Sequence, residues 1–213
     1  NNKTDYSDRP KIGYRKGCRC VRKKNDKENF GRVILMDKLI LRKVDYAKDL
    51  LLLYRYMTDA DSQYLLSEQF EVNTLQMYER WLNSRFEMGV YHDFFMVETS
   101  NGQTIGFTFT YDFSLSNGHC KYTLCLFKEY QKTGFGVAAA IQMMKHLFRI
   151  YPLRQIYISV YDYNADSLSA NLKGGFEEVG IYPEYRYFNG AYFDLHVLRM
   201  TREQFNFLYK KVR

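Results

Sequence analysis

The alternation of apolar and polar positions from residue 33 onward predicts a short strand, two helices and an antiparallel meander. Residues 39–42 predict the strand, and Asp45 is a favoured N-cap for a first helix that carries the apolar run 50–53. A second helix is predicted over residues 74–88. Asn-Gly turns at 101–102 and 117–118 then separate three strands. Strict alternation in the middle strand predicts one shared face for Ile105, Phe107, Phe109 and Tyr111.

The second half of the chain predicts a strand–helix–strand unit followed by one more helix and two strands. A helix opens at Gly134 and Gly136 and ends before Pro152, and residues 155–160 form the next strand. This order implies a parallel strand pair with a right-handed crossover. A helix over 165–173 and strands over 177–181 and 193–200 follow, and a long aromatic loop is expected between these two strands.

The segment 124–139 runs from an apolar strand through a charged loop into the glycine-spaced helix start. Gly134 and Gly136 let the backbone turn tightly and approach a ligand closely. The first amides of the helix have no intrahelical partner and lie at the positive end of its dipole. Because such a helix start suits a phosphate or pyrophosphate, we expect the cofactor end of an enzyme here.

The same glycines match a dinucleotide-binding fingerprint, in which Asp162 at the end of the next strand would bind a ribose. Two features disfavour that interpretation. Residues 128–133 separate the strand from the first glycine, and residues 163–213 are too few for the remaining strand–helix units.

Three ordered motifs resemble those of the GNAT family of N-acetyltransferases. They are Gln131-x-x-Gly134-x-Gly136, Asn164-x-x-Ser167 and Lys173-x-Gly175-Phe176. The likeness covers roughly residues 39–205. Segments 39–42, 57–59 and 187–194 are most similar to the branch of ribosomal-protein N-terminal and spermidine acetyltransferases.

The resemblance implies an α+β fold in three layers. Its mixed sheet has about seven strands, with an antiparallel N-terminal meander, helices on both faces and a parallel pair splayed around the cofactor. The implied activity is the transfer of an acetyl group from acetyl-CoA, by direct attack of a primary amine of a protein N-terminus, a polyamine or a small molecule. We expect a cytoplasmic monomer or homodimer.

The resemblance also implies the residues that bind acetyl-CoA. Backbone groups of the strand end pair with the pantetheine arm, amides of the glycine turn bind the pyrophosphate, and the start of the following helix lies across the cleft. Asn164 and Ser167 are also ordinary helix-cap residues. The implied set is Leu124, Cys125, Leu126, Gln131, Lys132, Thr133, Gly134, Phe135, Gly136, Val137, Ala138, Asn164 and Ser167.

The general acid and base remain open. Many family members have a tyrosine two residues before the lysine of the last motif, where this chain has Asn171, and an amide does not protonate a thiolate. The side chains available as acid or base are Tyr163, Tyr185, Tyr187, His119, Asp112, Glu68 and Glu184. Aromatic residues available for the acceptor pocket are Tyr64, Phe70, Trp81, Tyr111, Phe113, Tyr185, Tyr187 and Tyr192.

Composition and charge divide the chain at about residue 32. With 46% hydrophobic and 17% aromatic residues, the 213-residue chain has enough apolar side chains to form a hydrophobic core. Its apolar run 50–53 is far too short to span a membrane. The net charge of +7 lies within residues 1–32, which hold eleven basic and four acidic side chains. We therefore predict a basic extension over 1–32 and an acetyltransferase domain over 33–213.

The basic extension is either a solvated tail or an arm for RNA or another anionic partner. The second case gives an alternative function: a catalytically weak, acetyltransferase-like binding module tethered by that arm. The pair Cys18-x-Cys20 lacks the second pair that a zinc site needs, so we expect no metal ligand.

Overall fold

Seven strands form one mixed sheet in the computed structural model, which describes residues 39–59, 62, 64–66 and 74–210. Their order across the sheet is β1-β2-β3-β4-β5-β7-β6. The neighbours β4 and β5 are parallel, and the other neighbouring pairs are antiparallel. The strands are β1 (Leu39–Lys43), β2 (Tyr91–Thr99), β3 (Thr104–Ser114), β4 (His119–Leu126), β5 (Gln155–Tyr161), β6 (Glu177–Phe188) and β7 (Ala191–Thr201).

Helices cover both faces of the sheet, which confirms the predicted fold class. One hydrophobic cluster lies where β2 and β3 meet the first two helices, and the other surrounds the helix that links β4 to β5. Asp45 caps the first helix, as expected, and Thr74 caps the second. The helices are α1 (Tyr46–Thr58), α2 (Leu75–Glu87), α3 (Phe135–Ile150), α4 (Ala165–Lys173) and α5 (Arg202–Leu208), with a 3-10 turn at Lys128–Tyr130.

The expected aromatic loop between the last two strands is wrong, because residues 182–188 continue β6. An irregularity in the pairing with β7 lies between Tyr182 and Arg186. Within it Glu184 has φ 50°, and its N–H donates to the Asp194 carboxylate over 2.8 Å. The bulge absorbs the irregular residues, so the aromatic segment remains a strand up to the Asn189-Gly190 turn.

The predicted shared face is wrong for Ile105, because a second bulge lies in this part of the sheet. The register between β2 and β3 shifts between Val97 and Glu98. Ile105 consequently packs in the cluster around α3, whereas Phe107 and Phe109 pack in the cluster under α1 and α2.

The first helix is tied to β1 through a buried carboxylate. Asp49 is 4% exposed, and both of its oxygens accept from Arg42 over 2.9 Å. The N–H of Asp45 adds a third hydrogen bond of 2.7 Å. Burial alone would raise the pKa of Asp49, but the hydrogen bonds from Arg42 and Asp45 hold this pKa below its usual value.

Replacing this carboxylate by an amide (Asp49→Asn) should lower the free energy of unfolding at pH 7 by about 2 kcal/mol, because charge-assisted hydrogen bonds are lost. The folded-state pKa of Asp49 lies below the unfolded value, so the contribution is present above about pH 4 and disappears as the pH falls through the folded-state pKa. Urea denaturation between pH 7 and pH 3 measures the difference. Asp45→Asn, which keeps an N-cap, is the control, and a difference that stays constant with pH would contradict the assignment.

Candidate active site

The parallel strands β4 and β5 separate after a short paired stretch. His119, Cys120 and Lys121 face residues 155–157 of β5. Beyond Lys121 the pairing ends, although β4 continues to Leu126 and β5 to Tyr161. Since β5 stays paired with β7 along its whole length, the opening lies between β4 and β5. The predicted splay is therefore present, and it leaves one backbone edge of residues 122–126 without a neighbouring strand.

Helix α3 begins beside the open end of β4. Its N-cap Gly134 has φ 90°, in the left-handed region that favours glycine, and no side chain caps the helix. The Ala138 amide, predicted to bind the pyrophosphate, instead donates to the Gly134 carbonyl over 3.2 Å. The amides of residues 135–137 precede this first helical hydrogen bond and have no partner within the helix. They form a compact group of donors suited to an anion.

The loop before α3 is fixed by its own predicted residues. The Gln131 side chain donates to the Leu126 carbonyl over 3.1 Å, and the Thr133 hydroxyl donates to the Tyr130 carbonyl over 2.6 Å. Lys132 forms an exposed ion pair of 2.9 Å with Asp166 in the first turn of α4. Gln131 and Thr133 therefore shape the loop, while Lys132 connects it to the helix across the opening.

Helix α4 begins at the open end of β5. Asn164 occupies its N-cap position, but the Asn164 side chain makes no capping hydrogen bond. Ser167 lies inside the helix, where its carbonyl accepts from the Asn171 side chain over 2.8 Å. Asn171 is thus hydrogen-bonded within its own helix, whereas Asn164 lies at the start of this helix, just after the open end of β5. Strand order brings the end of β4, the Gly134 turn and Asn164 together at one end of the sheet.

The structure separates the predicted acid and base candidates from one another. His119 pairs with β5 at the closed end of β4, about 20 Å from Cys125 at the usual rise of an extended strand. Asp112 lies in an irregular part of β3, and its carboxylate is 2.8 Å from the Lys121 ammonium. Glu184 and Tyr185 belong to the β6 bulge, where the Tyr185 side chain is 59% exposed.

The open half of β4 is instead contacted by a tyrosine that sequence reasoning missed. The Tyr56 side chain of α1 lies close enough to the Cys125 thiol and to Ser62 for these groups to affect its pKa. Its ring packs edge-on against Phe107, with centroids 5.0 Å apart. Burial raises the pKa of Tyr56 far above its usual range and raises the pKa of Cys125 to about 12. Both groups therefore carry their protons at neutral pH.

The aromatic residues proposed for the acceptor pocket do not form one group. Trp81 packs against Tyr78 and Tyr91 under α2, and Phe113 stacks on His92, with ring centroids 4.1 Å apart. Phe70 lies outside the described residues. Tyr111 packs against Phe109, and Tyr64 stacks on Phe188. The other three tyrosines are exposed on the β6–β7 hairpin: Tyr185, Tyr187 and Tyr192.

In the part of the chain that the structure describes, no three histidine, cysteine or acidic side chains are grouped to hold a metal ion. Cys120 and Cys125 are buried free thiols, and Cys18 and Cys20 lie outside the described residues. Among the described helices, none combines the length and apolarity needed to cross a membrane.

The chain belongs to the acetyltransferase (GNAT) family. Residues 38–177 match the model of the acetyltransferase (GNAT) domain, which is well over half of the chain. The predicted enzyme class, an N-acetyltransferase, and its co-substrate acetyl-CoA are thereby confirmed at the level of the family.

Individual relatives agree with this membership. The SPbeta prophage-derived uncharacterized N-acetyltransferase YokL of Bacillus subtilis (strain 168) is 28% identical over 125 residues, which are 59% of this chain and 70% of that protein. The crystal structure of spermidine N-acetyltransferase from Vibrio cholerae in complex with CoA and spermine has a TM-score of 0.73 at 20% identity, covering 79% of this chain and 98% of the other. A dodecameric structure of spermidine N-acetyltransferase from Vibrio cholerae gives 0.68 at 20% identity, covering 82% and 98%. At these identities the two structures establish the fold.

Proposed function

We propose that this chain transfers an acetyl group from acetyl-CoA to a primary amine. The observation that carries the proposal is the opening between β4 and β5, which continues directly into the uncapped start of α3. An unpaired strand edge at residues 124–126 suits the amides of a pantetheine arm, and the amides of residues 135–137 suit a diphosphate. These two features follow each other along the chain in the order that a single CoA molecule requires.

When bound, acetyl-CoA supplies an activated thioester, and the chain supplies three further elements. A backbone N–H near Cys125 or Leu126 donates to the oxygen on which negative charge develops. The Asn164 amide orients the pantetheine arm from the β5 side. Tyr56 keeps the proton on its hydroxyl on the α1 side of the opening, and we assign this hydroxyl as a hydrogen-bond donor that stabilises the departing thiolate.

The assignment of Tyr56 predicts that Tyr56→Phe lowers kcat about 100-fold, because the ring stays in place while the hydrogen-bond donor is removed. The KM for acetyl-CoA should change little, since Tyr56 lies away from the phosphate-binding amides. Steady-state thiol release measures both constants. Tyr185→Phe is the matched control, because Tyr185 is a candidate acid from the sequence and its side chain is exposed. A loss of kcat in Tyr185→Phe but not in Tyr56→Phe would contradict the assignment of Tyr56 and give this role to Tyr185 in the β6 bulge.

We propose that the acceptor is a protein N-terminus, a polyamine or a small amine, which is the range that the family resemblance implies. The likeness to spermidine N-acetyltransferase structures supports an amine of this kind. Thiol release from acetyl-CoA in the presence of spermidine, a peptide and small primary amines is the direct test. Release with at least one of these amines supports the proposal, and no release with any of them contradicts it.

The rival function is the binding module tethered by residues 1–32, whose structure lies outside the described residues. The absence of the family's tyrosine at Asn171 favours this rival. It predicts that CoA binds, that no amine gives thiol release, and that deletion of residues 1–32 abolishes salt-sensitive RNA binding.

A further inference from the structure

Among the described residues, Arg186 in β6 is a buried cation with no carboxylate partner. It is 8% exposed, and the other buried charged residue in the described part of the chain is Asp49. Asp49 forms an ion pair with Arg42, but no ion pair within the described ranges includes Arg186. Burial of a charge is unfavourable unless the charge is paired and hydrogen-bonded. The buried guanidinium of Arg186 is therefore a candidate binding group for an anion.

Part of the guanidinium is used by the protein itself. Nη1 donates to the carbonyl of Tyr64 over 3.1 Å and to that of Leu66 over 2.6 Å. The guanidinium also lies over the Tyr161 ring, 4.8 Å from its centroid. Nη2 is buried and has no hydrogen-bond partner. Nη2 is therefore a buried nitrogen of this guanidinium that the protein leaves without a hydrogen bond.

The position of Arg186 relates it to the acceptor and not to the phosphates of CoA. Tyr161 is the last residue of β5, where the opening between β4 and β5 lies. Ile158 and Val160 pack in the cluster around α3, so the alternation of β5 turns Tyr161 toward the opposite face, on the side of α1 and α2. The phosphate-binding amides belong to α3, on the other face of the sheet. An anion at Nη2 would thus enter from the face of α1 and α2, where Tyr56 also lies.

We propose that Nη2 of Arg186 binds a carboxylate of the acceptor, so that the substrate is a primary amine that also carries a carboxylate. This inference rests on the proposed N-acetyltransferase function and names its acceptor class. A guanidinium fork matches a carboxylate in geometry and charge, whereas a polyamine would bring a second cation to a site that already holds one. Because Nη2 is buried, binding requires the atoms that cover it to shift.

The test compares two acceptor series of equal chain length with the full-length protein. The ω-amino acids from glycine to 6-aminohexanoate carry the carboxylate, and the corresponding n-alkylamines lack it. For at least one length we expect kcat/KM to be about tenfold or more higher with the carboxylate, mainly through KM. Arg186→Met should abolish this preference, so that kcat/KM falls about tenfold or more further for the ω-amino acid than for the alkylamine of equal length. Arg199→Met, in which an arginine of neighbouring β7 is lost, is the matched control and should keep the preference.

Other outcomes would overturn the inference. An equal loss for both series in Arg186→Met would mean that Arg186 only braces the segment 64–66. Acetylation of amines without any carboxylate preference in the wild type would reject the carboxylate site and leave the proposed function standing.

If no amine is acetylated, the proposed function fails, and thermal unfolding still decides this inference. A rise in the melting temperature with 6-aminohexanoate or a shorter homologue, present in the wild type and absent in Arg186→Met, supports the site, and no rise rejects it.

Discussion

Replacing Gly134 by alanine should weaken acetyl-CoA binding about 100-fold while lowering the free energy of unfolding by only about 1 to 2 kcal/mol. Gly134 has φ 90°, a conformation that is unfavourable for alanine by about that amount. Relief of the strain rotates the start of α3, so the amides of residues 135–137 no longer converge on one anion. The loss of two charge-assisted hydrogen bonds corresponds to about 3 kcal/mol, or about two orders of magnitude in the dissociation constant. Isothermal titration calorimetry with acetyl-CoA measures the effect.

A second glycine of the same backbone class gives the matched control. Gly190 in the β6–β7 turn has φ 84°, and an added Cβ would meet nothing within 4 Å. Gly190→Ala should therefore lower the free energy of unfolding by a similar amount and leave the affinity for acetyl-CoA unchanged. Equal affinities in the two variants would show that the start of α3 does not bind the diphosphate.

Gly106→Ala should destabilise the fold more than either of these glycine substitutions, with a loss of about 3 kcal/mol or more in the free energy of unfolding. An alanine Cβ at this position in β3 would lie 2.1 Å from the Cys125 carbonyl oxygen and 2.9 Å from the Leu126 side chain. The clash involves backbone, so β3 and β4 must move apart, and overpacking of this kind costs about 1 to 3 kcal/mol or more. Urea denaturation measures the change.

Gly180→Ala is the control for replacing a glycine by alanine within a strand. Gly180 lies in β6 with φ outside the left-handed region, and an added Cβ would meet nothing within 4 Å. Gly180→Ala should therefore leave the free energy of unfolding unchanged or raise it slightly. If Gly106→Ala were equally well tolerated, the close approach of β3 to the open half of β4 would be refuted.

Local patterns were sufficient to predict most of the fold. Caps such as Asp45, Asn-Gly turns and helical spacing act over a few residues, and a sequence displays them directly. The bulges at Val97 and Glu184 could not be predicted in this way, because they arise from how two strands share their register. The last helix, α5, was missed although it has a readable signal, a capping box between Thr201 and Gln204.

Part of the candidate site could likewise be predicted from the sequence, and part of it could not. The glycine turn and the strand before it form one continuous segment, so motif spacing located both. Tyr56 and Arg186 have no such signal. Each belongs to a regular element, and their importance comes from neighbours distant in the chain, Cys125 for Tyr56 and Tyr64 with Tyr161 for Arg186.

The central claim is that one acetyl-CoA molecule lies along the unpaired edge of β4 and reaches the amides at the start of α3. Amide hydrogen exchange, measured at single-residue resolution with and without CoA, tests it most directly. We predict that CoA slows exchange in residues 124–126 and 135–137 and leaves residues 119–121, already paired with β5, unchanged. Saturating CoA that leaves exchange at 124–126 and 135–137 unaltered would contradict the claim.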